Sequence, residues 1–390
     1  MNIADRYSYE GPRTPKPSEL EATMELVRSV FFKDDPSYWE AAKRWPMSLR
    51  PDLRENLFVM LHEGHPVSMI SRVARDLVIH GHTLRMGFVG SVCTHPDHRG
   101  RGLAGTVLAA TMQRYMDINV DFVYISGARP LYYRTGANHI SGSPWFSITA
   151  DARKPDNAMD LKVRQANVAD AEMLYSLTEG EQTYLVHDRL DYEMVIQSGH
   201  CKGSRCDFQI IESGSTPVAY VAVRNVTHKE GKWSQEVIQF AGDRAAILWA
   251  LIGMAKENGS NGSLNVGVLP GDDLINLMNS LDIHQTKGRI GGTVKVVDFV
   301  RTMEKLRPYF GQKLGNSFAE SLEFTAGNER YVVTGEGGAL EIDGESNMLW
   351  TLLGAPPDKI SENVRATGIM KKALEVCLPI TLPPLTLNTV

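Results

Sequence analysis

The sequence predicts an α/β chain in three successive units, and three observations carry that prediction. Residues 86–116 read as strand, glycine-rich loop and helix, with antiparallel hairpins ahead of them. The same order of elements starts again after residue 160, and a third pattern of short strands and helices begins near residue 290. At 390 residues the chain exceeds one ordinary domain. A net charge of -5, with no basic stripe, argues against nucleic acid as a partner. No apolar run is long enough to span a bilayer, and Met1–Arg6 lacks a basic-then-apolar leader pattern. A cytoplasmic location is therefore expected, with the scattered Cys93, Cys201, Cys206 and Cys377 reduced.

Residues 1–18 are polar and turn-rich, and Ser18 suits the cap of a helix that begins at Glu19-Leu20-Glu21. Leu20, Met24, Leu26, Val27 and Val30 form its apolar face. Asp34 to Pro46 mixes charges with Trp39 and Trp45. Leu57–Leu61 and Pro66–Ile70 flank Glu63-Gly64-His65 as a hairpin, and a second turn follows at His80-Gly81-His82. His62, His65, His80 and His82 fall at these turns without ligand spacing, so no metal is expected.

The chain is organised around Val92 to Gly105. Gly100, Gly102 and Gly105 remove Cβ atoms where a helix opens, and its outward amides carry partial positive charge. Arg99 and Arg101 add full charges, and together these features bind phosphate. No Lys-Ser/Thr pair follows, which excludes a nucleoside triphosphate loop. The strand ahead of the loop follows a meander rather than a βαβ unit, which argues against a dinucleotide fold. His95 and His98 lie in the loop as solvated residues, His98 placed where it could help neutralise phosphate. Asp121–Ser126 is a compact apolar strand, followed by a short segment through Tyr132, Tyr133 and Gly136.

Arg99-Gly100-Arg101-Gly102-Leu103-Ala104 resembles motif A of the GCN5-related N-acetyltransferase (GNAT) superfamily, and Tyr132 to Gly136 resembles its motif B. The resemblance implies acetyl-CoA as co-substrate, with Arg99, Gly100, Arg101, Gly102, Leu103, Ala104 and Gly105 on the pyrophosphate. It places Val92, Cys93 and Thr94, with Ser126 and Gly127, along the pantetheine arm and thioester, the Val92 and Thr94 amides orienting it. Tyr132 takes the role of the acid that protonates the departing thiolate, and Tyr133 lines the pocket. A phenol of ordinary pKa near ~10 holds that proton at neutral pH. Thr135 departs from the aromatic or apolar residue common at that place.

Residues 150–160 read as a linker. Leu161–Ala166 then forms a strand, Asn167 caps a helix, and Phe208–Glu212 pairs with Val218–Val223 across a turn. The counterpart of the glycine loop falls at Val237–Leu248, where Gly-x-Gly is missing and Asp243 brings negative charge. This copy is expected not to bind coenzyme A. Val294–Val300 leads into a helix, with strands near 322–324, 331–333 and 339–342 and a helix at 348–353.

A tandem pair with such a third unit is similar to the enhanced intracellular survival (Eis) family. That resemblance implies tandem GNAT folds with mixed, mainly antiparallel sheets and a sterol-carrier-protein-2-like C-terminal α/β unit. The expected domains are 1–152, catalytic; 153–290, degenerate; and 291–390, sterol-carrier-like. The leucine- and proline-rich tail stays extended and has apolar surface to bury. By resemblance, the α-carboxyl of Val390 enters the first unit's cleft as the base, and the chain forms a symmetric homo-oligomer. The implied reaction is acetyl transfer to a primary amine of an aminoglycoside- or polyamine-like compound or a lysine side chain. Asp34, Asp35 and Glu40 are candidates for attracting polycations. A non-catalytic coenzyme-A-binding regulator, or a lipid carrier, is the alternative.

Overall fold

A computed structural model describes residues 8–32, 41–155, 160–226, 232–288, 290–384 and 387. The first stretch runs β1 (Tyr9–Arg13), α1 (Leu20–Phe31), α2 (Ala41–Arg44), β2 (Leu57–His62), β3 (His65–Ile79), β4 (His82–Thr94), α3 (Leu103–Asp117), β5 (Phe122–Ile125) and α4 (Pro130–Tyr133). β1 to β4 form an antiparallel meander, and β5 joins β4 in parallel. Ser18 does not cap α1; it lies inside a single 3-10 turn, Pro17–Glu19. Proline fixes that turn, and the Glu19 carboxylate accepts from the Lys16 amide at 2.7 Å and from both Arg13 nitrogens at 2.8 Å.

The chain continues through β6 (Trp145–Ile148), β7 (Leu161–Gln165), α5 (Ala171–Glu179), β8 (Thr183–Leu185), α6 (Arg189–Ser198), β9 (His200–Cys201) and β10 (Ser204–Ser213). β11 (Thr216–Val226), β12 (Trp233–Gly242), α7 (Arg244–Glu257), β13 (Gly262–Gly267), α8 (Asp273–Ser280) and β14 (His284–Thr286) follow. Here the antiparallel run β7-β10-β11-β12 and the parallel neighbour β13 repeat the first sheet's plan. Asn167 caps as its sequence suggests, its side chain accepting from the Ala169 amide at 3.0 Å.

Sheet membership is not collinear with the chain. β6 pairs with β13 in the second sheet, whereas β15 (Thr293–Val296) pairs with β5 in the first. Each sheet thus takes the strand beyond its parallel pair from a distant part of the sequence. Divisions at 152/153 and 290/291 place both strands with units whose sheets they do not join. β15 is held because Val294 and Val296 reach the first sheet's core and are almost fully buried.

The last part comprises α9 (Phe299–Leu314), α10 (Asn316–Glu320), β16 (Glu323–Gly327), β17 (Arg330–Gly335), β18 (Gly338–Asp343), α11 (Glu345–Leu353), β19 (Val364–Ala366) and α12 (Met370–Cys377). Its antiparallel sheet does not have a core of its own. Phe88 and Tyr124 of the first sheet share one apolar cluster with Leu306, Phe310 and Leu349. Buried Asp121, after α3, fixes the same joint: it accepts from the Arg85 amide and the Lys305 ammonium, each at 2.7 Å. No helix among the described residues is long and apolar enough to cross a membrane.

Candidate active site

The site begins with a fault in the β3–β4 ladder. Ser71 pairs with Gly90 and Met69 with Cys93, so Ser91 and Val92 together face Ile70 as a β-bulge. Ser91 takes a left-handed backbone, φ +48°, to make it. β4 pairs with β5 only from Met86 to Val89, and the Ser126 amide closes the contact on the Val89 carbonyl at 2.9 Å. Beyond it the strands splay, and the β4 backbone from Gly90 to Thr94 has no partner from β5. Cys93 offers only backbone to the splay. Its side chain packs in the cluster under α1, where burial pushes the thiol up to about 12.

The loop after β4 turns through Pro96–His98 and then needs left-handed backbone at Gly100, φ +75°, and Gly102, φ +79°. Gly102 is the N-cap of α3 and no side chain caps the helix, so its first amides face outward unmet by a capping group. A Cβ at either glycine would touch nothing within 4 Å, and one at Gly105 would meet only Leu131 at 3.8 Å. The protein leaves this surface open. Arg101 donates to the Tyr9 hydroxyl at 2.6 Å, and Tyr9 bonds His98 Nδ1 at 3.0 Å. His98 packs against His62 and Tyr9 instead of standing in solvent. Burial lowers its pKa, and the nearby His62 and Arg101 act in the same direction. Arg99 is exposed, with its Nε on the Thr94 carbonyl at 3.2 Å.

Tyr132 lies across the splay from this loop. Its ring is buried with Leu103, Val107 and Ile125, and a Cβ at Gly127 would come within 3.2 Å of it. Burial raises the phenol's pKa, opposed by Arg129. The hydroxyl has no hydrogen-bond partner among the described residues. Its tyrosine neighbours are engaged: Tyr115 donates to the Phe88 carbonyl at 2.6 Å, Tyr124 to the Gly291 carbonyl, and Tyr133 meets His139 Nε2 at 3.1 Å. Of these four tyrosines, Tyr132 is the one whose hydroxyl has no such partner among the described residues. Thr135 donates to the Tyr132 carbonyl at 2.7 Å, so the departure at that position tightens the turn. The C-terminal unit braces this segment. The Glu345 carboxylate occupies the space a Cβ at Gly136 would need, and the Trp350 indole donates to the His139 carbonyl at 2.8 Å.

A cavity of 340 Å³ opens between Tyr124, Trp45, Trp145 and the second sheet, with Lys202, Arg224 and Glu236 among its walls. The tail residues Leu382–Pro384 close one side. Sequence reasoning missed Tyr9 and the cavity's Trp145, Lys202, Arg224 and Glu236, which no local motif marks. Asp34, Asp35, Glu40 and Val390 lie outside the described residues.

The counterpart of the glycine loop in the second sheet differs in kind. Asp243 caps α7, accepting from the Ala246 amide at 2.7 Å. Glu181 supplies the anion there. Its carboxylate takes the Gly242 amide at 2.9 Å and Arg244 Nη1 at 2.8 Å, while Arg244 Nη2 also reaches Asp272 at 2.8 Å. That turn holds the chain's own carboxylate. A 930 Å³ cavity adjoins it. No three His, Cys, Asp or Glu side chains among the described residues group to hold a metal ion.

Residues 12–140 match the acetyltransferase (GNAT) domain family. No curated protein sequence matches the chain. Among solved structures, the fold is similar to a GCN5-related N-acetyltransferase from Kribbella flavida, at 12% identity and TM-score 0.64 over 97% of each chain. A GCN5-related N-acetyltransferase from Anabaena variabilis, also 12% identical, gives a TM-score of 0.59 over 92% of this chain and 84% of that one. Eis1 from Mycobacterium abscessus gives 0.52 at 12% identity, over 75% and 74%. The match over residues 12–140 and these neighbours make the chain an acyltransferase.

Proposed function

We propose that the chain transfers an acetyl group from acetyl-CoA to a primary amine of a small molecule or a lysine side chain. The observation that carries this reading is Tyr132, a buried tyrosine whose hydroxyl has no hydrogen-bond partner among the described residues, set beside a splay and an open, arginine-flanked helix start. Acetyl-CoA supplies an activated thioester. The α3 amides with Arg99 and Arg101 would hold its pyrophosphate, and the β4 backbone at Val92 and Thr94 its pantetheine amides. Tyr132 keeps a proton at its hydroxyl for the leaving sulfur.

The base by resemblance is the α-carboxyl of Val390. Supporting it is the course of the tail: Leu382 and Leu387 are buried, and the Leu387 carbonyl meets the Cys201 thiol at 3.8 Å, next to cavity-lining Lys202. Three more residues reach about 10 Å. The division into a catalytic unit, a degenerate copy and a sterol-carrier-like unit belongs to this reading, supported by the repeated sheet plan and by Glu181 in the second phosphate position. An Eis-like oligomer and a cytoplasmic location belong to it too, testable by light scattering and by cell fractionation.

The test is thiol release from acetyl-CoA against a panel of amines, with the full chain and a chain lacking Val390. Turnover that falls without Val390 supports both reaction and base. Turnover unchanged there reduces the tail to a seal. Acetyl-CoA binding with no thiol release for any amine overturns the reaction.

A further inference from the structure

The cavity beside Tyr124 has a charge pattern that speaks to the acceptor. Arg224 donates twice to one Glu236 oxygen, from Nε at 2.8 Å and from Nη2 at 2.5 Å. Those two charges cancel, leaving Glu236 Oε1 without an arginine bond. Lys202 lines the same wall, and no carboxylate among the described residues pairs with it. Burial lowers its pKa, Glu236 favours its charge and Arg224 opposes it. By formal charge, the described wall sets Lys202 and Arg224 against the single carboxylate of Glu236.

The turn that presents Lys202 is built for position. Cys201 pairs with Ser204, so Lys202 and Gly203 form a two-residue hairpin turn, both left-handed, at φ +52° and +76°. Asn or Gly is the usual first residue of such a turn, and a lysine there is held against its backbone preference. The Gly203 amide donates to the Arg44 carbonyl at 3.1 Å, and Trp45 lies where a Cβ at Gly203 would sit, 2.6 Å from its ring. The first unit thus clamps the turn against the cavity. One side of the cavity is tied by hydrogen bonds to the segment before Tyr132. Its Tyr124 and Gly291 walls lead through Thr293, whose hydroxyl donates to the Gly127 carbonyl at 3.3 Å, to the glycine under Tyr132.

We infer that Lys202 determines acceptor specificity, and that the acceptor is a small primary amine also carrying an oxyanion, a carboxylate or a phosphate, rather than a polycation. This rests on the proposed acetyl transfer. The Lys202 ammonium and the outer edge of Arg224 receive the oxyanion, and Glu236 Oε1 faces the amine end. The polyamine- and aminoglycoside-like acceptors implied by resemblance are disfavoured by the same charge.

The probes are β-alanine, 2-aminoethyl phosphate and 1,3-diaminopropane, which share a short chain and differ in the charge at one end. Equilibrium binding to the full chain is measured by calorimetry, and thiol release with acetyl-CoA in parallel. We expect the anionic amines to bind at least about 10-fold tighter than the diamine, and their ratio separates carboxylate from phosphate. Lys202→Asn suits the turn, so the fold should hold. It should weaken the anionic amines about 10- to 100-fold, through KM rather than kcat, and leave the diamine unchanged. Lys202→Arg should restore most of the loss.

Three results overturn the inference: the diamine binding as tightly as the anionic amines, none of the three binding, or Lys202→Asn lowering kcat equally for all amines. The last would mean that Lys202 positions part of the protein. Charge-dependent binding without thiol release leaves the anion site standing and removes the acetyl transfer.

Discussion

Replacing Tyr132 with phenylalanine separates chemistry from packing. The ring stays in its slot between Gly127 and the α3 cluster, and the lost hydroxyl has no hydrogen-bond partner among the described residues to orphan. The stability change should therefore stay within about 0.5 kcal/mol. Loss of a general acid costs about 10²- to 10⁴-fold in kcat, or roughly 3–5 kcal/mol of transition-state stabilisation. Acetyl-CoA affinity should move little, since the phosphate loop lies on other elements. Tyr115→Phe is the opposite control: its hydroxyl donates to the Phe88 carbonyl at 2.6 Å in a fully buried site. That change should cost about 1–3 kcal/mol of stability and leave kcat near normal at a permissive temperature. Thiol release at saturating amine, thermal melts and coenzyme titration measure the three quantities. Because burial raises the Tyr132 pKa, the wild-type rate should show no alkaline fall until above the ordinary phenol range near ~10. A Tyr132→Phe enzyme with kcat within threefold of wild type refutes the assignment, as does a variant that loses acetyl-CoA binding as its main defect.

Other perturbations test the frame around the site. Gly102→Ala places a side chain at φ +79° at the start of α3, and should cost about 1–2 kcal/mol and raise KM for acetyl-CoA more than it lowers kcat. Asp121→Ala leaves the Lys305 ammonium and the Arg85 amide without their buried acceptor; melts should show a loss of about 3–5 kcal/mol across the joint with α9. Glu19 has its carboxyl lowered to about 2 by Arg13. Its folded pKa lies below the unfolded value near ~4.3, so its contribution is full above that pH and disappears as pH falls toward 2. Glu19→Gln should cost about 1–2 kcal/mol at neutral pH, after allowance for solvent screening, and the gap should close in acid. A gap that persists at pH 2 would assign the effect to lost packing.

Local pattern made much of the first unit legible. The hairpins on either side of Gly64 and Gly81 follow from alternation and turn residues, and the loop–helix junction from two glycines that need left-handed backbone. Tyr132 could be singled out because its spacing from Gly136 resembles a known motif. That it alone among the neighbouring tyrosines is uncommitted is a property of what surrounds it. Ser18 failed as a cap because Glu19, one residue on, reached Arg13 and the Lys16 amide first.

Tertiary structure decided the rest, for a common physical reason. β6 and β15 are each four residues long, too short to state which sheet they join; only the apolar faces of distant strands fix that. In the second sheet the turn at Gly242 holds the carboxylate of Glu181, some sixty residues upstream in the chain, which no pattern around Asp243 marks. The cavity likewise assembles Trp45, Tyr124, Lys202 and Glu236 from remote segments. Periodicity, turns and caps are short-range and are written in neighbouring residues. Sheet exchange and pocket charge depend on which surfaces meet, which the sequence sets only through the folded chain.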